Sequence, residues 1–128
     1  MKSVVIRKAR TCDIDEIVEI ENLSFKYPYT REYLLYLIGY CDIFLVAEVF
    51  GGNPKIIGYV CGRLEVNRGG VYGHIYSIAV HPRFRRRGIG TMLMHKIIDF
   101  FKGQGARSVY LECRVSNITA QRFYSRLG

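Results

Sequence analysis

Six consecutive residues, Arg85, Arg86, Arg87, Gly88, Ile89 and Gly90, carry the densest chemical signal in the chain. They stand between a strand-like run, residues 74–81, and an apolar-periodic run, residues 91–101. A strand, a short glycine-bearing turn and a helix, in that order, aim backbone N–H groups and the positive end of a helix dipole at one point, which suits a phosphate. Gly88 and Gly90 lack a Cβ, so a ligand can approach the main chain and the φ angles of a helix-starting loop are open to them. The flanking arginines can fork onto phosphate oxygens in bidentate fashion. The competing explanation is a solvated arginine run that happens to precede a helix containing glycine.

Such a turn needs a packed scaffold, and 128 residues, 49% of them hydrophobic, are enough for one domain with one sizeable core. The apolar run near the N-terminus is too short for a signal peptide and no later segment approaches a membrane span, so a cytoplasmic protein is expected. Cys12, Cys41, Cys61 and Cys113 have no CxxC spacing and are expected to be reduced, buried thiols rather than a metal site or disulfide framework. The charge of +8 is unevenly placed: residues 1–73 are balanced, and the whole excess falls in residues 74–128, where Asp99 and Glu112 are the only acids. A polyanionic ligand at the glycine turn follows, with nucleic acid as the rival.

Residues 4–9 read as a first strand. Asp13 with Glu16 three positions on resembles a capping box, and Ile14, Ile17, Val18 and Phe25 recur at helical spacing. Glu21 falls on that stripe and is expected at a solvated helix edge rather than facing a substrate. Pro28 disfavours helix at Tyr27, and Thr30 can cap a second short helix carrying Tyr33, Leu34, Leu37 and Ile38. The aromatics of residues 25–29 either wall a groove for a peptide-like ligand or pin the loop to the core. Residues 43–50, 55–66 and 71–80 are β-rich and joined by turn signals, giving an antiparallel meander. Gly58 and Gly62 share a face of the third strand and leave room for something to lie against it. After the turn a helix burying Ile89, Leu93, Ile97 and Phe100 or Phe101 stops at Gly103, and residues 108–113 form another strand. Strand, crossover helix and strand make a right-handed unit, so the fourth and fifth strands should be parallel neighbours. Residues 117–127 are expected as a last helix with Ala120, Phe123, Tyr124 and Leu127 on one face.

This order of elements, with Arg85-x-x-Gly88-x-Gly90 between the fourth strand and third helix, resembles the GCN5-related N-acetyltransferase superfamily. Two stretches are more specific: residues 73–80 (Gly, His, Ile, Tyr, Ser, Ile, Ala, Val) leading into the arginine run, and residues 110–117 (Tyr, Leu, Glu, Cys, Arg, Val, Ser, Asn) leading to Phe123 and Tyr124. They look like the archaeal and eukaryotic protein N-terminal acetyltransferase catalytic subunits and the bacterial ribosomal-protein alanine acetyltransferases. The resemblance spans essentially the whole chain. It implies one α/β (α+β) N-acetyltransferase domain over residues 1–128: a mixed sheet with four antiparallel strands, a fourth and fifth strand splayed apart for acetyl-coenzyme A, and helices on both faces.

By the same resemblance the backbone of Ile78, Ala79 and Val80 pairs with the pantetheine arm. Arg85, Arg86, Arg87, Gly88, Ile89, Gly90 and Thr91 hold the pyrophosphate, and Asn117 lies near the thioester. Glu112 matches the general base, His74 a position that orders the intervening water, and Tyr124 the residue that protonates the departing thiolate. Phe25, Tyr27, Tyr29 and Tyr76 would contact the acceptor, and an N–H near Ile78 or Val80 would stabilise an oxyanion. A peptide α-amine titrates at roughly 7.7 to 8, so a base has one proton to remove. Each of these residues also has a plain structural explanation: a strand histidine, a carboxylate paired with an arginine, a tyrosine packed in the core.

The resemblance thus implies transfer of an acetyl group from acetyl-coenzyme A to a protein or peptide N-terminus, directly and without an acyl-enzyme, and allows association with the ribosome or a ribosomal protein. No metal or membrane is implied. The competing activities are acetylation of lysine or a small amine, or a non-catalytic basic module binding RNA or coenzyme A. Two departures bear on this. Some archaeal relatives carry a further carboxylate before the Tyr-Pro-Tyr loop, where this chain has Phe25 and Lys26 and is shorter, so their substrate preference does not transfer. The sequence also stops at Gly128, where the fold ordinarily continues into a final β-hairpin; a longer natural protein and an unpaired far edge on the fifth strand are expected.

Overall fold

The computed structural model describes residues 3–51, 55–113 and 121–126, with side chains described as far as Leu111. β1 (Val4–Lys8) leads through a 3₁₀ turn (Thr11–Asp13) into α1 (Ile14–Ser24) and then α2 (Arg31–Tyr40). β2 (Ile43–Val49), β3 (Lys55–Asn67) and β4 (Gly70–Val80) follow, then α3 (Ile89–Gly103), β5 (Ser108–Cys113) and β6 (Gln121–Arg126). The sheet runs β1-β2-β3-β4-β5-β6, antiparallel at every junction except the parallel β4–β5 pair.

The sheet is buried on both faces, which explains why β2 and β3 read as nearly continuous apolar runs. On one face Ile89, Leu93, Ile97 and Phe101 of α3 pack on Leu45, Ala47, Val60, Ile75 and Val109. On the other, Ile14, Ile17 and Ile20 of α1 and Leu34 and Leu37 of α2 pack on Phe44, Val46, Tyr59 and Ala79. The room at the strand glycines is taken by α3. A Cβ at Gly58 would stand 3.1 Å from the Leu93 side chain, and one at Gly62 3.0 Å from the Phe101 ring. These glycines let a helix lie close to the sheet, not a ligand.

Three other expectations are corrected. The Asp13–Glu16 capping box does not form: Asp13 accepts the Arg10 N–H at 2.8 Å and Glu16 reaches across to the Ile56 N–H at 2.7 Å. Cys12 is exposed, whereas Cys61 is buried and Cys41 half-buried. Residues 121–126 form a strand rather than a last helix, and that strand pairs antiparallel with β5 from Ser108–Arg126 to Cys113–Gln121, so the far edge of β5 is covered. The row of N–H and C=O groups along β5 needs partners, and a β-prone segment with two aromatics satisfies them where a helix would not. Among the described residues no helix is long and apolar enough to cross a membrane.

Candidate functional site

β4 and β5 pair at only three positions, Gly73–Val109, His74–Tyr110 and Ile75–Leu111. The next residue, Tyr76, is the extra one of a bulge, because Cys61 faces Ser77 while its neighbour Gly62 faces Ile75. A bulge bends its strand and strengthens the local twist. β4 therefore leaves β5 at Tyr76, and residues 76–80 keep β3 on one side with no strand along the other among the described residues. Ile78, Ala79 and Val80 lie on this stretch. A ligand with amides of its own can run along such an edge.

The chain then turns through a 3₁₀ segment (Pro82–Phe84) into the arginine run. Arg86 has φ 63° and Gly88, the residue that opens α3, has φ 81°. Two left-handed residues within three positions fold the main chain back on itself ahead of a 15-residue helix. Arg86, Arg87 and Gly88 are exposed, and the space a Cβ on Gly88 would occupy has no described atom within 4 Å. Arg85 is exposed as well, but its head group is held by the protein: its Nε donates to the Val80 carbonyl at 2.9 Å and its Nη2 to Ser24 Oγ at 3.2 Å, tying the turn to β4 and α1. The Arg87 guanidinium lies 5.4 Å from the Phe84 ring centre. His81, which sequence reasoning passed over, is buried beneath this loop; its Nδ1 accepts the Arg83 N–H at 3.1 Å.

At the other end of the exposed edge, His74 sits with its ring 4.5 Å from Tyr76 and 5.2 Å from Tyr110. Burial, and then a hydrogen bond with Tyr40, pushes the Tyr76 phenol up from its ordinary value. The backbone of Glu112 lies two residues beyond Tyr110 on β5, and that of Tyr124 lies opposite Tyr110 on β6. The fold thus gathers His74, Tyr76, Glu112 and Tyr124 around one seam, with Tyr124 on a strand and not on a helix. Asn117 lies outside the described residues. A partner that sequence reasoning missed is Glu65, whose carboxylate lies 2.7 Å from His74 Nδ1 and accepts the Tyr72 hydroxyl at 2.8 Å.

The aromatic loop of residues 25–29 is pinned to the core by some of its rings and not by others. Phe25 and Tyr29 pack against the α1–α2 core, whereas Tyr27 is 76% exposed. The loop is tied down by Glu21, which is fully buried and not solvated: one carboxylate oxygen accepts the Tyr29 N–H at 2.7 Å and the other accepts the Tyr59 hydroxyl, itself 2.8 Å from Ser77 Oγ. Burial, and then the Glu21 charge beside it, pushes the Tyr59 phenol well above its ordinary value. From the loop a row of rings continues along α2, Tyr29 to Tyr33 at 4.8 Å, Tyr33 to Tyr36 at 6.0 Å and Tyr36 to Tyr40 at 5.0 Å, and reaches Tyr76 at 6.4 Å. Helical spacing of those tyrosines was the available signal.

A parallel pair that parts beside an anion-suited helix start, with His74 and Tyr76 at the fork, is an arrangement suited to a phosphate-bearing, amide-bearing ligand. Residues 14–128 match the acetyltransferase (GNAT) family, and the chain belongs to that family. An uncharacterized N-acetyltransferase of Methanocaldococcus jannaschii is 37% identical over 98% of this chain and 77% of its own length. An N-alpha-acetyltransferase of Sulfurisphaera tokodaii is 38% identical over 99% of this chain and 80% of its own length. Among solved structures, Ard1 from Thermoplasma volcanium superimposes with a TM-score of 0.76 at 28% identity, over 86% of this chain and 71% of that one. The chain is an N-acetyltransferase, and enzymes of this family draw their acetyl group from acetyl-coenzyme A. The open, left-handed turn at Arg86 and Gly88 and the unpaired stretch of β4 fit that donor's pyrophosphate and amides.

Proposed function

We propose that this enzyme acetylates the N-terminal α-amine of proteins, a ribosomal protein being one candidate class of acceptor. The observation that carries the α-amine reading is the 38% identity, over nearly the whole chain, to a relative named as an N-alpha-acetyltransferase. Arg86, Arg87, Gly88, Ile89, Gly90 and Thr91 hold the pyrophosphate of acetyl-coenzyme A, with Arg85 bracing the turn from behind through Val80 and Ser24. The backbone of Ile78, Ala79 and Val80 receives the pantetheine amides. When bound, acetyl-coenzyme A supplies an acetyl group activated as a thioester. Glu112, through an intervening water ordered by His74, takes the proton of the incoming amine. Tyr124 holds the proton that the leaving sulfur needs. Tyr27, Tyr29, Phe25 and Tyr76 flank the acceptor, with the Glu21 anchor fixing the loop that carries them. The enzyme works in the cytoplasm.

Glu112→Gln keeps the side-chain shape and removes its basicity, so acetyl transfer should fall by about 10² to 10⁴ while acetyl-coenzyme A affinity stays nearly intact. A panel of peptides varied at positions one and two, assayed beside lysine-containing peptides and polyamines, tests the acceptor. Faster acetylation of lysine side chains or polyamines than of α-amines overturns the reading.

A further inference from the structure

The β3–β4 hairpin places a carboxylate beside the histidine of the proposed centre. Its two-residue turn sets Asn67 opposite Gly70, Glu65 opposite Tyr72 and Arg63 opposite His74, so Glu65 and His74 are diagonal neighbours across the pair. The Glu65 carboxylate accepts the Tyr72 hydroxyl at 2.8 Å with one oxygen and lies 2.7 Å from His74 Nδ1 with the other. An ionised carboxylate can only accept hydrogen bonds, so Nδ1 must carry the hydrogen. In a neutral ring the lone pair is then left on Nε2, the atom able to receive a proton or hold a water. The tilted contact of the ring with Tyr76 and its edge-type contact with Tyr110 add to this and limit its rotation.

Resting on the α-amine acetyltransferase reading above, we propose that Glu65 is a positioning residue: fixed by the Tyr72 hydroxyl, its carboxylate locks His74 in the Nδ1–H tautomer, so that Nε2 faces the chemistry as an acceptor. Glu65 exchanges no proton itself. A carboxylate in this relation to a histidine fixes both tautomer and orientation in unrelated hydrolases, where its loss leaves the wrong tautomer behind. Burial pushes the Glu65 carboxyl up, but the hydrogen bonds from His74 and Tyr72 outweigh it and hold the group below the usual carboxylate range, so it remains a pure acceptor at neutral pH. An incidental surface ion pair would need neither the second donor nor the ring contacts.

Nuclear magnetic resonance of the full chain with isotopically labelled histidine, its His74 signal assigned by loss in His74→Ala, reads the tautomer directly. The natural chain should show the Nδ1–H form; an Nε2–H form overturns the proposal without any variant. Glu65→Ala should release the ring toward the Nε2–H form, and Glu65→Gln, whose amide oxygen still accepts, should retain Nδ1–H. In peptide acetylation Glu65→Ala should lower kcat by about ten- to a hundredfold with the KM for acetyl-coenzyme A unchanged. Glu65→Gln should recover most of that loss, and adding Glu65→Ala to His74→Ala should cost nothing more, because Glu65 acts through His74. Additive losses, or a natural kcat in Glu65→Ala, overturn the proposal. If the natural chain acetylates no peptide α-amine, the acceptor assignment fails, and the tautomer in the same sample still decides the Glu65–His74 relation.

Discussion

Three donors converge on Asp13: Arg7 reaches both oxygens at 2.8 and 2.9 Å, and the Arg10 N–H reaches one at 2.8 Å. The Arg7 guanidinium, through these hydrogen bonds, holds the Asp13 carboxyl below the usual carboxylate range. A depressed folded value means that the contribution is fully present above the unfolded value, near about 3.9, and is lost as pH falls through the lower folded value. Asp13→Asn should therefore cost about 2 kcal/mol at neutral pH in urea unfolding, with the two curves converging below about pH 4. The sequence placed Asp13 and Glu16 correctly at the start of the first helix but misassigned their partners, since a capping box and two carboxylates that each anchor another segment can share the same spacing. Glu21 was misread for a related reason: helical periodicity puts it on the buried stripe, and donors beyond the helix, the Tyr29 N–H and the Tyr59 hydroxyl 38 residues away, explain why a carboxylate can stay there. Glu65 was legible in principle. Folding the hairpin about the Asn67–Gly70 turn brings Glu65 to Tyr72 and His74 with no further information.

Local signals were sufficient for most elements, because the patterns that define them are short-range. Thr30 caps α2 by accepting the Tyr33 N–H at 3.1 Å, and α3 buries Ile89, Leu93, Ile97 and Phe101 as its period requires. Residues 121–126 were illegible for the opposite reason: Phe123 and Tyr124 suit a helix stripe or a strand equally, and the choice is made by the edge of β5, which a local window does not contain. The turn before α3 yields a test of its own. Arg86 holds φ 63°, a left-handed conformation that costs a residue with a Cβ about 1 kcal/mol or more. Arg86→Ala and Arg86→Gly both remove the guanidinium, so in calorimetry both should bind acetyl-coenzyme A more weakly, by roughly 1.5 to 3 kcal/mol. In thermal unfolding they should part company, with the glycine variant the more stable by about 1 kcal/mol, a reversal of the usual order. Equal stabilities would mean that the turn carries no strain.

Across the whole molecule the uneven charge now has a structural address: the basic half begins at β4 and contains the exposed arginines ahead of α3, while the balanced half builds α1, α2 and the first three strands. The sheet order follows the chain order from β1 to β6, so each strand lies beside its predecessor. Four of the five junctions are antiparallel; the β4–β5 junction must wait for α3 to cross over and then pairs at three positions only. Loop closure makes such a contact late to form and early to open. In native-state hydrogen exchange, the amides of this seam should open at lower free energy than those of the β2–β3 pair, and saturating acetyl-coenzyme A should slow them more than any others. Equal protection across both junctions would contradict this. On the proposed reading, the weakest kinetic joint of the sheet would also be its place of work, and occupation by the donor would finish a seam that the strands alone pair at three positions.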